Sequence, residues 1–552
     1  MDYGCADAQL DAESVDVELT KQTTFDTLSE PHTVTYYLVS ILAITHRMEV
    51  ALPSNSANEP AIHRLVDDIL EYVFLLNATP QWTPHVPKSK RQATIEHATT
   101  VASSQVCTRW RSIALNCHTI WSLIIDYSQH SLIWIETLLD RSNPSPLDFG
   151  SQSNHVYLED GGQGVLELVF KHINRLRIFN LYVESPSWEL VCSRFLQLPA
   201  PNLEVFHIFY DTVGHLTHPL FNNHAPNLRS LGLHWCTIDF TSPVLTSLTK
   251  LSVNLSEENV CPTILDWLNI LGGMPSLQWV HFISAISSGS PNDIFPFIHL
   301  NELKMLFVIG PFLECVTLMN HLIVPPRCGL DLTCNGTHLG FDQRQLCAII
   351  EKKIASWAKN APYRVLNAVA STGFVKIENL PHRLDRWGSE NVDPILSISL
   401  YLSNFEETVP LFRSLFALFE RTFFDTTCLQ LWIGDGLFTP LVDLFRDFVN
   451  LEKLIVRNDS LLKLLFPFLQ HPNPVLFSTL KSLHFYDVTF RDDGSDSIQR
   501  VADFLQWRRE QGFPVQKIAI SGDWINRKYI LTHIQDTVVE MDDSDTEEED
   551  NN

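Results

Sequence analysis

Residues 106–121 read VCTRWRSIALNCHTIW and combine two tryptophans with the spacing of an amphipathic helix. Five apolar side chains occupy the i, i+4, i+7, i+8 and i+11 positions that share one helix face, namely Val106, Trp110, Ile113, Ala114 and Cys117. The intervening Arg109, Arg111 and Ser112 are expected to point away from that face, and Trp121 closes the stretch. The pattern predicts a helix pair that binds a partner protein, and an ordinary buried helical hairpin is the alternative.

Together with residues 62–76, this stretch resembles the F-box, a short helical module that connects a protein to an SCF-type cullin-RING ubiquitin ligase through a Skp-type adaptor. The family has a Val-Cys-x-x-Trp-Arg-x-x-Ala string and a closing aliphatic-Trp pair. This chain matches them with Val106, Cys107, Arg109, Trp110, Arg111, Ile113 and Ala114, and with Ile120 and Trp121. Residues 138–147, LLDRSNPSPL, resemble the connector in the F-box proteins of mushroom-forming fungi.

The first half of the module departs from the family at one position. An F-box opens with Leu-Pro, an acidic residue and two aliphatic residues. This chain has Leu65, Val66, Asp67, Asp68, Ile69 and Leu70, followed by Val73 and Phe74. Because Val66 replaces the proline, the fixed φ that starts the first helix is absent. The substitution affects the strength of adaptor binding more than the fold.

The resemblance implies a set of adaptor-binding residues. They are Leu65, Asp68, Ile69, Leu70, Val73, Phe74, Val106, Cys107, Trp110, Ile113 and Trp121. Among them, Leu65, Ile69 and Leu70 are expected to bury against the adaptor, whereas Trp110 and Trp121 mainly hold the module together. The implied partners are a Skp-type adaptor, a cullin and a protein substrate.

From about residue 170 the chain repeats an apolar-x-x-apolar-x-apolar triplet, which is the strand half of a leucine-rich repeat. Triplets begin at Leu176, Leu203, Leu228, Leu248, Leu277 and Leu303, and again at Leu451, Leu480 and Val515. The first six starts are 27, 25, 20, 29 and 26 residues apart. Between them only Ile395/Ile398/Leu400 and Cys428/Leu431/Ile433 fit, which indicates irregular or interrupted repeats.

Turn residues directly before several triplets strengthen this interpretation, because chance alone would produce many triplets in so apolar a chain. Examples are Pro201-Asn202, Pro226-Asn227 and Pro275-Ser276. In one complete unit Pro262 starts a helix, residues 264–271 carry an apolar face, and Gly272-Gly273 provide a left-handed cap. The predicted fold class is α/β, with an N-terminal helical F-box module followed by an irregular leucine-rich-repeat solenoid.

In such a solenoid, the side chains between the apolar strand positions lie on an exposed face. Those chosen as substrate-binding candidates are His207, Arg229, His234, Gln278 and His281, and Glu204, Lys453 and His484 share the same face. For any one of them, a solvated sheet position without a ligand is the alternative.

Composition excludes several classes of protein. The 552 residues carry a net charge of −25, which disfavours nucleic-acid binding. The 11 cysteines include no Cys-x-x-Cys pair, and the acidic N-terminus differs from a secretory signal, so a reduced cytoplasmic or nuclear location is expected. Residues 34–45 are too short an apolar run to cross a membrane. No membrane partner is expected.

Enzymatic chemistry has little support. The sequence contains no H-E-x-x-H, G-x-S-x-G or Walker motif. The Gly161-Gly162-Gln163-Gly164 cluster is predicted to be a loop and lacks the spacing that holds a pyrophosphate. We expect no catalytic residue, no metal and no cofactor.

Composition and the positions of turn-forming residues divide the chain into five regions. Residues 1–60 form an acidic, partly disordered segment, 61–126 the F-box-like domain, 127–164 a connector, 165–535 the repeat domain that binds the substrate, and 536–552 a disordered acidic tail. The chain is therefore expected to be a non-catalytic substrate receptor. A repeat-built interaction scaffold with a degenerate F-box is the alternative.

Overall fold

A computed structural model describes much of the chain. The described residues are 65–79, 90–151, 155–158, 162–216, 219–256, 261–290, 292–337, 348, 351, 365–371, 373–379, 396–402, 408–418, 426–434, 444–445, 448–457, 477–486, 497–521 and 537–541. Contacts divide the chain into two compact units, Met1–Asp148 and Phe149–Asn552. The predicted 1–60 segment lies outside the described residues.

The first unit, called the helical unit here, contains five helices in its described residues. They are α1 Asp67–Ala78, α2 Lys90–Ser103, α3 Thr108–Asn116, α4 His118–Leu123 and α5 Leu132–Arg141. One apolar core joins them, in which Phe74 and Trp110 meet edge to face with ring centroids 5.2 Å apart. The indole nitrogen of Trp121 donates a hydrogen bond to the carbonyl of Ala114 at 2.8 Å.

The predicted apolar stripe is correct for its inner members and wrong for its first one. Trp110, Ala114 and Cys117 are buried, and Ile113 is partly buried. Val106 lies before α3 rather than in it, and 59% of its surface is exposed. The reason is that Cys107 is the N-cap of α3, with its sulfur accepting from the backbone N–H of Trp110, so the helical spacing does not extend back to Val106.

The second unit, called the sheet unit here, begins within β1 Leu147–Phe149. Its further strands are β2 Val156–Tyr157, β3 Leu176–Val183, β4 Val205–His215, β5 Ser230–Thr237, β6 Lys250–Asn254, β7 Trp279–Ile283, β8 Ile298–His299, β9 Met305–Pro311, β10 Leu322–Ile323, β11 Gly329–Thr337, β12 Val365–Ser371, β13 Phe374–Asn379, β14 Leu396–Leu402, β15 Cys428–Ile433, β16 Lys453–Arg457, β17 Ser482–Tyr486, β18 Lys517–Ser521 and β19 Val538–Met541. Its helices are α6 Gly162–Lys171, α7 Ser185–Ser193, α8 Ile264–Gly272, α9 Phe312–His321, α10 Thr408–Leu418 and α11 Ser497–Glu510.

Most strands belong to one large sheet whose order largely follows the chain. The pairing runs β2-β3-β4-β5-β6-β7-β9-β11-β14-β13-β12-β15-β16-β17-β18-β19. Every one of these pairs is parallel except the two that β13 forms, with β12 and β14. The fold is therefore a mixed α/β arrangement with a large, mostly parallel sheet.

The register places equivalent apolar residues of successive strands side by side. One row contains Phe179, Phe206, Leu231, Leu251, Val280 and Leu306, and the row two residues later contains Leu181, Ile208, Leu233, Val253, Phe282 and Val308. All twelve side chains are buried. These are the second and third members of the six N-terminal triplets, so the strands predicted there are confirmed.

The two triplets proposed for the middle of the chain are in the wrong register. Ile398 pairs with Leu332, and Leu431 pairs with Val456, so both belong to the later apolar row instead of the earlier one. Each strand has a further buried apolar residue two positions later, Leu400 in β14 and Ile433 in β15. The triplet in the sequence is therefore displaced by two residues from the buried rows of the sheet. Strands β11, β12 and β13 were not predicted.

Three local predictions need correction. Gly162, Gln163 and Gly164 begin α6 instead of forming a loop, and a Cβ at Gly162 would lie 2.5 Å from Leu158 Cβ, so the glycine permits a close approach. Gly273 after α8 has φ −80°, so it is not a left-handed cap. Residues 538–541 of the predicted disordered tail form β19, in which the partly buried Val539 pairs with Ile518. Residues 542–552 lie outside the described residues.

Membrane-spanning helices were also sought. Within the described part of the chain, no helix has the length and apolar character needed to cross a bilayer.

Candidate functional site

In the helical unit, most F-box positions form the interior. Leu65, Leu70, Val73, Phe74, Trp110 and Trp121 are buried, whereas Ile69, Cys107 and Ile113 are partly buried. The core of the unit itself covers Leu65 and Leu70 in this conformation, so neither side chain is exposed, and their burial against an adaptor stays a prediction. The core positions of Trp110 and Trp121 agree with their expected role in holding the module together.

Exposed apolar side chains remain where α1 and α3 begin. Val66, the N-cap of α1, has 62% of its surface exposed, close to the value for Val106 before α3. Arg109 joins the two helix starts, since its guanidinium bonds the Leu65 carbonyl and contacts Asp67 Oδ1 at 2.6 Å. Arg109 was expected to point away from the apolar face, and its guanidinium contacts the carbonyl and the carboxylate at the start of α1 instead of that face.

The outward surface that these residues form has a definite composition. It contains Val66, Val106, the Asp67–Arg109 ion pair and the exposed Asp68. Exposed valines next to charged groups are typical of a protein-contact surface with an apolar centre and a polar rim. We call this set the helix-start surface.

In the sheet unit, three of the predicted binding residues lie within four successive strands, β4 to β7, and alternate with the buried rows. His207 on β4 and His281 on β7 occupy one row with Gly232 and Ser252 between them, and His234 on β5 lies in the next row. The three side chains are half-buried. We call this set, with its neighbours on β2–β9, the histidine face.

Gly232 makes this arrangement possible. A Cβ at Gly232 would lie 2.7 Å from His207 Cδ2, so the imidazole of His207 lies directly over the glycine. The ring then reaches Ser230, whose Oγ is 2.9 Å from His207 Nε2. His281 makes the equivalent contact on the other side, with its Nδ1 3.1 Å from Ser252 Oγ.

Aromatic rings continue the face towards its N-terminal strands. Phe209 stacks on His234 with centroids 3.9 Å apart and an interplanar angle of 15°. His155 contacts both Phe209 and Tyr182, and Phe307 meets His281 edge to face at 4.3 Å. Together with the three histidines, these rings form an aromatic cluster along the face.

The imidazoles of the face are held in their neutral form. Burial lowers the pKa of His207, His234 and His281 to about 4, and Lys250 adds to the effect at His207. The pKa of His234 is lowered further by its neighbouring histidines, and burial also lowers the pKa of His155. At neutral pH the face is therefore uncharged except for Lys250, whose Nζ is 5.9 Å from the Trp279 ring centroid.

Arg229 and Gln278 do not join the histidines. Both precede their strands, where the Arg229 and Gln278 carbonyls accept from the N–H groups of Lys250 and Met305. The Arg229 guanidinium bonds the carbonyls of Pro226, Leu228 and Ser247, so it stabilises turns between strands. The sequence could not distinguish these two positions from outward strand positions, because the strands begin one residue later than the pattern suggests.

Several members of the face were not predicted. Tyr182, Phe209, Ser252 and Asn254 occupy the two rows that alternate with the buried rows, and His155 precedes β2. Counting two residues onward from His207 to Phe209, and from Ser252 to Asn254, would have found two of them. His155 has no such signal, since β2 lies outside the triplet pattern.

A metal site was also considered. Among the residues that the structure describes, no three His, Cys, Asp or Glu side chains are grouped so that they can hold a metal ion.

Comparisons with known protein families and with curated proteins find no match for this chain.

Proposed function

We propose that the chain is a substrate-recognition subunit of an SCF-type ubiquitin ligase. In this proposal, the helical unit is an F-box-like module that binds a Skp-type adaptor through the helix-start surface. The sheet unit is an irregular leucine-rich-repeat solenoid whose histidine face binds a target protein.

The observation that carries the proposal is the agreement between motif and core in the helical unit. Most of the apolar positions at which the sequence resembles the F-box build one compact core, with Phe74 against Trp110 and Trp121 bonded to Ala114, whereas Val106 is exposed. The same module leaves two valines exposed at adjoining helix starts. An internal core with an apolar contact at one end suits a small docking module.

The sheet unit supports the second half of the proposal. Successive parallel strands with aligned apolar rows form a broad outward face, and broad faces of this kind suit protein ligands. Turns are linked from one strand to the next, since the Asn202 side chain donates to the Asn174 carbonyl and the Asn227 side chain donates to the Pro201 carbonyl. This repeated link between turns is what a stack of similar units requires.

The mechanism of such a receptor is an increase in effective concentration. Holding the target in the same assembly as a ubiquitin-charged carrier enzyme turns an encounter between two molecules into a reaction within one complex. The receptor itself contributes no acid, base or metal.

Co-purification tests the proposal. The intact chain, expressed in cells of its own source, is expected to co-purify with a Skp-type adaptor and a cullin. A double variant, Val66→Asp with Val106→Asp, places two carboxylates in the proposed contact and is expected to weaken adaptor binding by at least about tenfold. The matched control is Ile133→Asp on α5, because Ile133 is 67% exposed and is not a member of the helix-start surface.

Two results would reject the proposal. One is a folded chain that recovers no adaptor, and the other is equal adaptor recovery from the Val66/Val106 double variant and the Ile133 control. The first result favours the alternative of an interaction scaffold with a degenerate F-box. That alternative is motivated by the burial of Leu65 and Leu70 and by Val66 in place of the family's proline.

A further inference from the structure

The histidine face has a charge environment unlike the rest of the chain. The chain carries 64 acidic and 39 basic side chains, yet burial, Lys250 and the neighbouring histidines lower the pKa values of His207, His234 and His281. Among the described residues, no carboxylate raises the pKa of any of the three. The face is therefore free of the negative charge that dominates the sequence.

The other titratable groups around the face can be placed. They are His155, Tyr157, Tyr182, Glu184, Asp211, Lys250 and Asp331. Glu184 accepts a hydrogen bond from the hydroxyl of Tyr157. Asp211 lies further along β4 than Phe209, and Asp331 on β11 is two strands beyond His281 in the same row. The carboxylates thus lie at the margins, and the centre of the face contains imidazoles and one ammonium group.

Each central imidazole has one nitrogen engaged within the protein. The Asn254 Nδ2 amide donates to His234 Nδ1 at 3.4 Å, which leaves the proton of the neutral ring on Nε2. Where the Ser230 and Ser252 hydroxyls donate to His207 Nε2 and His281 Nδ1, the neutral ring carries its N–H on the opposite nitrogen in the same way. Within the described residues, none of these second nitrogens has a partner.

Neutral N–H donors on neighbouring strands, with a lysine beside them, favour an anionic ligand. Because strands are about 4.8 Å apart, the donors suit several single negative charges spaced along a chain. A phosphate dianion instead calls for a cluster of arginines, and Arg229 is engaged with turn carbonyls. Carboxylates are therefore the better match.

We propose that the histidine face binds a carboxylate-rich segment of the target protein, with its Asp or Glu side chains hydrogen-bonded to His207, His234 and His281. This rests on the proposed function only in taking the histidine face as the target surface. The acidic residues 542–552 of the same chain are the competing occupant, and the test below includes a chain that lacks them.

Binding of an anion has a consequence for protonation. An opposite charge nearby raises the pKa of an imidazole by about one to three units, so a histidine with a pKa of about 4 reaches at most about 7 in the complex. The complex then takes up a proton that the free protein does not hold. Binding is therefore expected to tighten as the pH falls from 8 to 6, by up to about tenfold for one such histidine.

Selection from a random displayed peptide library tests the proposal on the intact chain. Peptides that bind the wild type at pH 6.5 are counter-selected on the triple variant His207→Gln, His234→Gln, His281→Gln. The matched control is His484→Gln, because His484 lies in the same row on β17, eight strands from His281. A second control is a chain that lacks residues 542–552.

We expect the enriched peptides to carry runs of Asp and Glu. They should bind the wild type, the His484 variant and the shortened chain alike, and bind the triple variant at least tenfold more weakly. Calorimetry of one synthetic peptide in two buffers should show proton uptake. Enrichment of neutral or basic peptides, equal binding to the triple variant, or no enrichment at all would overturn the proposal, and much tighter binding by the shortened chain would identify its own tail as the occupant.

Adaptor recovery measured on the same preparations separates this proposal from the function on which it rests. The triple variant is expected to keep its adaptor, since its three changes lie in the sheet unit. Loss of peptide binding with adaptor retained supports both ideas. If no variant recovers the adaptor, the ligase function is rejected. The peptide measurements then still decide whether the histidine face binds carboxylates.

Discussion

The two units bury their sequence patterns alike but leave their candidate contact residues in different places. In the helical unit, the tryptophans and most aliphatic residues of the motif form the interior, and the exposed Val66 and Val106 are the candidate contact residues. In the sheet unit, the conspicuous residues are the periodic leucines, which are also interior. The candidate contact residues His207, His234 and His281 lie at strand positions that alternate with the periodic apolar residues.

This difference teaches where to look for function in each kind of pattern. A motif in a small helical module fixes the shape of a core, so its contact surface is found at the exposed residues next to motif positions. A repeat fixes a register, so its contact surface is found by counting one residue away from the buried row. In both units the pattern identifies the scaffold more directly than the site.

The largest expected effect is the loss of stability when either of two buried tryptophans is replaced. Trp121 donates to the Ala114 carbonyl at 2.8 Å in the helical unit, and Trp267 donates to the Ala285 carbonyl at 2.7 Å in the sheet unit. Both are fully buried, so Trp121→Ala and Trp267→Ala should each cost about 3–5 kcal/mol of stability. Hydrogen exchange should show that the first change removes protection from all five helices, which share one core.

The second change should act locally. Strands of the large sheet pair only with their neighbours, so Trp267→Ala should lower protection in β6, β7 and β9 and leave β16–β18 protected. Loss of protection across the whole sheet would contradict this, and it would mean that the sheet unfolds as one cooperative body, as the helical unit does.

The same contrast explains how far the sequence could predict the structure. The triplets gave the strands β3–β7 because each has apolar residues in both buried rows, as Leu231 and Leu233 do. They failed at β12, where Ala368 fills the later row and is too small to count as a periodic apolar residue. The antiparallel strand β13 has no sequence signal in the repeat, because its direction depends on pairing with β14.

Candidate-site residues were predictable only when their side chains were unusual for an exposed strand. Histidine and arginine are unusual at exposed strand positions, whereas Phe209 and Tyr182 resemble further apolar core residues. Arg229 and Gln278 were predicted on the same grounds as His207. The structure separates them from His207, because each lies one residue before its strand and therefore belongs to the preceding turn. Such one-residue distinctions depend on tertiary packing that no local pattern specifies.

A smaller effect is expected at the glycine beneath the histidine face. In Gly232→Ala the new Cβ meets the His207 ring, so the ring must move away from Ser230 and the protein should lose about 1–3 kcal/mol. Acidic-peptide binding should weaken with it. The control is Gly272→Ala at the end of α8, where the new Cβ meets only the tip of Ile298 at 3.3 Å and a helix gains from alanine by up to about 1 kcal/mol. Equal denaturant midpoints for the two variants would show that His207 does not need Gly232.

Helix capping is expected to give a still smaller effect and to separate the units again. Thr263 forms a capping box with Asp266 at the start of α8, whereas Val66 at the start of α1 makes no side-chain cap. Thr263→Ala should therefore cost about 1 kcal/mol, measured as a lower midpoint of urea unfolding. Val66→Ala should change stability little. A loss from Val66→Ala as large as that from Thr263→Ala would show that Val66 supports the fold and not only the proposed adaptor contact.

The smallest effect concerns the proline that the F-box resemblance lacks. Val66 has φ −68°, which suits proline, and its N–H makes no hydrogen bond among the described residues. Val66→Pro should therefore raise stability by about 0.4–1 kcal/mol, because the unfolded chain loses freedom. Adaptor recovery should be equal or greater.

A matched substitution shows whether the φ angle alone explains that gain. Ser131, the N-cap of α5, has φ −65°, but its hydroxyl accepts from the N–H of Trp134. Ser131→Pro loses this cap, at a cost of about 0.5–2 kcal/mol that offsets the entropic gain. If thermal unfolding shows both variants stabilised alike, the cap at Ser131 contributes little. If Val66→Pro unfolds at a lower temperature than the wild type, the start of α1 needs a backbone freedom that the family's proline would remove.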